Sequence, residues 1–321
     1  AVVLPTGDRI GRVAVPTPVA EGPAAIVRAC AEALVAVRDR VPRALRAELA
    51  AIGISSPGPV DPFRGVVVEP PNLGPDFRDI PLAAEMADAL GLRAVLDRDT
   101  NVAALAEHAY GAARDCADFL YLTVSTGIGG AIVTGGRLFR GPDGTAGELG
   151  HMPVDMDGPA CGCGGAGHLE AVSSGRALAR DAREAVLAGR SPFLAARAAE
   201  RSPEALTARD VAEGEEAGDP VAGALMARAR HAFATACVGY VDMFNPDRIV
   251  VGGSIADAQG ERWLAPARRA VASEAFRTPA RRVRIVPAAL GPDVSLAGAQ
   301  PLVSDRLGAT SVGAPVTSPT R

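Results

Sequence analysis

The chain has 321 residues, 48% of them hydrophobic and 22% charged, with a formal net charge of −4. Only 4% are aromatic, so its cores must be assembled from Ala, Val and Leu, and its length suits two lobes or one large α/β domain. All 33 basic residues are arginine, which excludes Schiff-base and PLP-anchoring chemistry and the Walker A lysine, and the mixed, slightly acidic balance argues against a broad nucleic-acid surface.

Ala1–Leu4 and Ile10–Val15 are β-prone runs around Pro5-Thr6-Gly7-Asp8-Arg9, a hairpin signature. Helical spacing over Pro23–Val41 puts Ile26, Ala29, Ala33, Leu34 and Val37 on one side. A strand at Ala51–Ile54 leads into the turn Ser56-Pro57-Gly58-Pro59. Ile80–Leu90 predicts a helix, Ala94–Leu96 a buried strand and Asn101–Tyr110 a helix. The run Phe119–Val124, the turn Ser125–Gly130 and the run Ala131–Val133 read as strand, glycine turn, strand, unlike the strand–loop–helix of a P-loop. Helices are expected at Glu170–Leu187 and Val221–Phe244. The buried strand Arg248–Val251 then ends in Gly252-Gly253, before a helix and a strand at Val283–Val286.

This alternation favours α/β, and Ser311–Arg321 is expected to be a frayed tail. No apolar run approaches the roughly 20 residues a bilayer requires. Ala1–Asp8 lacks the order of a signal peptide. The five unevenly spaced cysteines do not make a disulfide framework, so a cytoplasmic, reducing setting is expected.

Three groups of residues carry chemistry. His151, Cys161, Cys163 and His168 form His-x9-Cys-x-Cys-x4-His. Two thiolates and two imidazoles suit tetrahedral zinc with no position left open, which describes a structural site; two buried thiols beside two unrelated histidines is the plainer alternative. Ser125-Thr126-Gly127-Ile128-Gly129-Gly130 can present amides and hydroxyls to an anion, or be a simple hairpin turn. Gly252-Gly253-Ser254 stands at a strand end where α/β ligands sit. Asp97-Arg98-Asp99 closes a predicted strand and precedes a helix, as a catalytic base would, although capping explains Thr100 or Asn101 equally well. Glu148, His151 and Glu170 add carboxylates and an imidazole beside the metal motif.

Taken in order, Gly53–Asp61, Asp97–Glu107, Leu122–Gly130, Gly144–His151, Cys161–Glu170 and Asn245–Gly253 resemble the ROK family (repressors, open reading frames and kinases), specifically its glucokinase-like sugar kinases. The resemblance implies two actin-like α/β lobes that close around sugar and ATP. They would run as a small lobe over 1–116, a large lobe over 117–290, a C-terminal helix over 291–310 returning to the small lobe, and a tail over 311–321. It makes Asp99 the general base toward a sugar 6-hydroxyl. Asn72, Arg98, Glu148, His151 and Glu170 would hold the sugar. Thr126, Gly127, Gly129 and Gly130 would line the phosphates, and Gly252 and Gly253 would approach the nucleoside. Mg²⁺ would accompany ATP, zinc would fix the sugar-binding loop, and a homodimer is expected.

Three departures stand out. His168 replaces the family's third cysteine, and Arg98 replaces its asparagine before the base. The family's phosphate hairpin, Asp-x-Gly-Gly-Thr-Lys, is expected just ahead of Ala1. Since the kinase-like pattern begins at residue 1, no DNA-reading domain is expected on this chain, and a sugar-binding, non-catalytic relative is the rival expectation.

Overall fold

At the start of the chain Val2–Val3 (β1) and Arg9–Ile10 (β2) pair antiparallel, with Val2 opposite Ile10. The turn between them closes through the Gly7 amide on the Leu4 carbonyl at 2.9 Å. β2 stops at Ile10 instead of reaching Val15, and the next residue, Gly11, leaves the extended conformation with φ +65°. The computed structural model describes residues 1–308. They divide into two units: Ala1–Asp115 with Leu138–Ala146 and the chain from Ala289, and Cys116–Arg137 with Gly147–Ala288. The excursion at 138–146 is one that a single boundary near residue 116 does not include.

In the first unit Ala51–Ser56 (β3) is followed by the antiparallel pair Val60–Asp61 (β4) and Val66–Val67 (β5). β3 pairs in parallel with Arg93–Arg98 (β6), Ser56 opposite Arg98. Parallel neighbours need a crossover, here carrying the helix Leu82–Leu90. That helix begins two residues later than its periodicity suggests, since Ile80 bridges to Val67 and Pro81 is the N-cap. Ile26, Ile52, Val67, Phe77, Met86 and Leu96 form the core of the unit. The helix Ala299–Leu307 lies against β3 so closely that a Cβ on Gly53 would stand 2.5 Å from the Ala299 carbonyl oxygen.

The second unit is built on five strands in the order β11-β10-β7-β8-β9: Phe119–Val124 (β7), Ile128–Thr134 (β8), Arg137–Leu138 (β9), Arg248–Gly252 (β10) and Arg284–Pro287 (β11). β10 is parallel to both β7 and β11, and β7 runs antiparallel to β8. The 25-residue helix Pro220–Phe244 packs on Glu261–Glu274, with Phe233 and Trp263 tilted against each other at 5.7 Å between ring centroids. One long helix over Glu170–Leu187 does not form. Ser174 breaks it into Leu169–Ser173 and Gly175–Leu187, taking an extended backbone while its hydroxyl accepts the Ala177 amide at 3.2 Å. Two further helices, Pro192–Glu200 and Ala208–Glu216, fill a stretch whose periodicity shows neither. No helix among the described residues is long and apolar enough to cross a membrane, and the tail expected at Ser311–Arg321 lies outside them.

Candidate active site and metal cluster

In the first unit β6 delivers Asp97-Arg98-Asp99 to its carboxyl end. The helix that follows starts at Asp99 itself, not Asn101. The two aspartates have opposite environments. Asp97 is fully buried: its Oδ1 accepts the Arg98 amide and the Asn101 side-chain amide, each at 2.8 Å, and its Oδ2 accepts Arg140 Nε at 2.7 Å. Asp99 is exposed, with Oδ1 accepting the Thr100 amide at 2.7 Å. Asn101 is thus spent on Asp97, not on capping the helix.

Arg98, expected at the sugar, is buried, and its Nη2 donates to the Ala146 carbonyl at 2.8 Å. The Gly58 turn packs on its methylenes. Asn72 is exposed in the turns that lead to the helix Leu82–Leu90.

In the second unit the glycine turn is tighter than its sequence suggests. Ser125–Gly127 is the turn, and Ile128 already pairs with Val124. Gly129 and Gly130, expected to line an anion, sit in β8 opposite Thr123 and Leu122. Gly130 is glycine for packing: a Cβ there would meet the Leu149 side chain at 2.6 Å. Because β10 lies beside β7 in parallel, Gly252 falls in register with Thr123, and both glycine turns emerge at the carboxyl end of the same sheet. The hydroxyls of Ser125 and Ser254 meet at 2.9 Å across them. Gly253 takes φ +98°, and a Cβ there would stand 2.6 Å from both Thr123 Oγ1 and the Val124 carbonyl oxygen.

Glu148 is exposed ahead of the single turn Leu149–His151, whose backbone is held by the buried Tyr240 hydroxyl donating to the Leu149 carbonyl. His151 Nε2 faces Glu148 Oε2 at 3.9 Å, and its Nδ1 faces Cys161 Sγ at 3.5 Å. Cys163 Sγ lies 3.2 Å from His168 Nδ1, and all four donor atoms fall within 4.8 Å of one another. A tetrahedral ion with bonds of about 2.1 Å to nitrogen and 2.3 Å to sulfur separates its ligand atoms by about 3.6 Å, so this donor set fits zinc.

Glycines make the wrap possible. Gly164 and Gly167 have positive φ, and a Cβ on Gly165 would press into the His168 ring at 2.5 Å. Burial pushes the Cys161 thiol above its ordinary range, the Cys163 amide opposing this and the Cys163 side chain adding to it. A bound cation supplies the charge that returns such a pair to thiolate.

Glu170 stands two residues after His168, in the first turn of its helix. Its Oε2 accepts the Ile128 amide at 2.8 Å, and its Oε1 lies 3.6 Å from Arg176 Nη2. A role for Glu170 as a sugar contact alone therefore leaves out half of what its carboxylate does. Sequence reasoning also missed Arg140 and Glu107. Glu107 is fully buried, receiving the amides of Ala112, Ala289 and Leu290 at 2.6 to 2.9 Å. A glutamate at the end of an apolar helix is the only signal for it; for Arg140 there is none.

The ROK family model matches residues 6–306. A glucokinase of Thermotoga maritima is 34% identical over 307 residues, covering 96% of this chain and 94% of that protein. Among solved structures, a ROK hexokinase from Thermus thermophilus is similar with a TM-score of 0.75 at 36% identity, over 92% of this chain and 91% of its own. A ROK family glucokinase from Streptomyces griseus, in complex with glucose and AMPPNP, gives a TM-score of 0.74 at 32% identity over 92% of each chain.

Proposed function

The chain belongs to the ROK family, and from that premise we propose that it is an ATP-dependent sugar kinase that converts glucose to glucose 6-phosphate with Asp99 as general base. Its two α/β units are the lobes of the actin-like fold those kinases share. The observation that carries the assignment of the base is the contrast between the two aspartates. Asp97 is locked by three hydrogen bonds away from solvent, whereas Asp99 presents its carboxylate at the surface.

In the proposed reaction the Asp99 carboxylate takes the proton of the sugar 6-hydroxyl while that oxygen bonds to the γ-phosphorus of MgATP. The bond from the γ-phosphorus to the β–γ bridging oxygen breaks, and ADP leaves with the electron pair. Asn72, Glu148, His151 and Glu170 hold sugar hydroxyls. Thr126 and Gly127 present the phosphate turn, and Gly252-Gly253 admits the nucleoside. His151, Cys161, Cys163 and His168 would hold a zinc ion, which would supply a cross-link and not Lewis acidity. His151 has its Nδ1 toward Cys161 Sγ and its Nε2 toward Glu148, so that one ring links the Cys/His cluster to Glu148. The same family likeness supports a homodimer and a cytoplasmic setting.

A coupled ADP-release assay with MgATP and glucose, mannose, N-acetylglucosamine, N-acetylmannosamine and fructose tests this reading. Glucose should be turned over best, and Asp99→Asn should lower kcat by about 100- to 10,000-fold. Full turnover in Asp99→Asn would remove the base assignment. Sugar binding without any turnover by the wild type would favour the non-catalytic reading.

A further inference from the structure

The Ser125–Gly127 turn is held in place by the Cys/His segment and the helix start that follows it, and the side-chain part of the tie is the Glu170 carboxylate. Glu170 Oε2 accepts the amide of Ile128, the first residue of β8 and itself buried. Gly127 is shaped to this contact, since a Cβ at that position would overlap Glu170 Oε2. The start of the next helix adds two bonds, from the Gly175 amide to the Ser125 carbonyl at 2.8 Å and from the Arg176 amide to the Thr126 carbonyl at 3.0 Å. On another side Gly150 approaches so closely that a Cβ would overlap the Ile128 carbonyl oxygen. Ser125, Thr126 and Ile128 are therefore each seated by a group from residues 150–176.

A carboxylate beside a turn that receives phosphates opposes their charge. Arg176, at 3.6 Å from Oε1, offsets this only in part because it is largely exposed. The presence of a glutamate here is explained by what its oxygen holds, a buried amide that would otherwise lack this acceptor. We propose that Glu170 is a positioning residue for the Ser125–Gly127 phosphate turn, so that the metal-bearing segment governs nucleotide binding as well as sugar binding. The inference rests on the kinase reading for its consequence, but not for its geometry.

The test compares Glu170→Gln with Glu170→Ala in the full chain. Glutamine has an acceptor oxygen of the same reach for the Ile128 amide; alanine has none. Amide hydrogen exchange over 125–130 should quicken about tenfold in Glu170→Ala, the effect of one lost hydrogen bond, and stay within about twofold of wild type in Glu170→Gln. MgAMPPNP titrated without sugar should bind about fivefold to tenfold more weakly to Glu170→Ala, with Glu170→Gln again near wild type. Unchanged exchange in Glu170→Ala, or a Glu170→Gln turn as loose as that of Glu170→Ala, would overturn the proposal. If Glu170→Ala loses protection throughout the chain, Glu170→Asp, one methylene too short, replaces it under the same criteria. Failure of the wild type to bind MgAMPPNP would count against the kinase reading alone, because the exchange comparison would still decide the role of Glu170.

Discussion

Arg140 donates its Nε–H to Asp97 Oδ2 at 2.7 Å, and the side chains are 12% and 0% exposed. Arg140 also donates to Asp305 at 2.7 Å. Burial works against its charge, but the Asp97 and Asp305 carboxylates more than compensate and hold its pKa above the ordinary value. Through Asp97 the pair anchors the strand end from which Asp99 projects, and the neighbouring Arg98–Ala146 bond ties down the same excursion of the chain.

Arg140→Met should therefore destabilise the chain by about 3 kcal/mol, because it leaves the Asp97 carboxylate buried without its counter-ion. Adding Asp97→Asn should recover most of that loss in urea unfolding, since the buried carboxylate that lost its counter-ion is then gone. kcat should stay depressed in both variants, because the strand end that carries Asp99 has lost its anchor.

Gly253→Ala should weaken nucleotide binding by about tenfold or more and lower the melting temperature. A methyl at φ +98° adds backbone strain of about 1–3 kcal/mol to its overlap with Thr123 and Val124. Gly252→Ala, where the nearest atom is Ala288 Cβ at 3.0 Å, should be milder. Nucleotide titration and thermal melts of the two variants check this order.

The donor set predicts one zinc ion per chain by elemental analysis. His168→Ala should lose it, and His168→Cys should retain it, since thiolate is an equivalent ligand. Chelation should weaken sugar and nucleotide binding together, and selective loss of sugar binding alone would contradict the tie through Glu170.

Stability should fall in acid partly through Asp219, the N-cap of the helix Pro220–Phe244. Its Oδ1 accepts the Ala222 amide and its Oδ2 the Ser191 hydroxyl, both at 2.8 Å. Burial opposes ionisation here, but these bonds outweigh it and depress the pKa. A carboxylate with a lower pKa folded than unfolded stabilises the fold above its unfolded value, about 3.9. That contribution is lost as pH falls through the lower folded value. Asp219→Ala should cost about 1–2 kcal/mol at pH 7, with a gap that narrows below about pH 4 in urea titrations.

Local features are legible in the chain itself. The hairpin around Gly7, the β7–turn–β8 pattern, the strand ahead of Gly252 and a four-residue Cys/His cluster within one glycine-rich segment all follow from short-range spacing. Where spacing misleads, longer-range forces decide. Ser174 splits an apparently continuous helix because an extended residue there lets its hydroxyl cap the second half. Gly129 and Gly130 are drawn into β8 by pairing with β7, which shortens the turn to Ser125–Gly127.

The sequence alone determined which chemistry is available: an arginine-only set of cations, a compact Cys/His ligand group, two glycine turns and a pair of aspartates flanking Arg98. Only the tertiary structure decided which aspartate is buried and which exposed: Asp97 lies inside, paired with Arg140, 43 residues away in sequence. It likewise decided that Glu170 holds the Ile128 amide across 42 residues. Spacing along a chain fixes which neighbours a turn or a metal loop brings together. Which buried carboxylate meets which distant donor is set by the packing of separate elements.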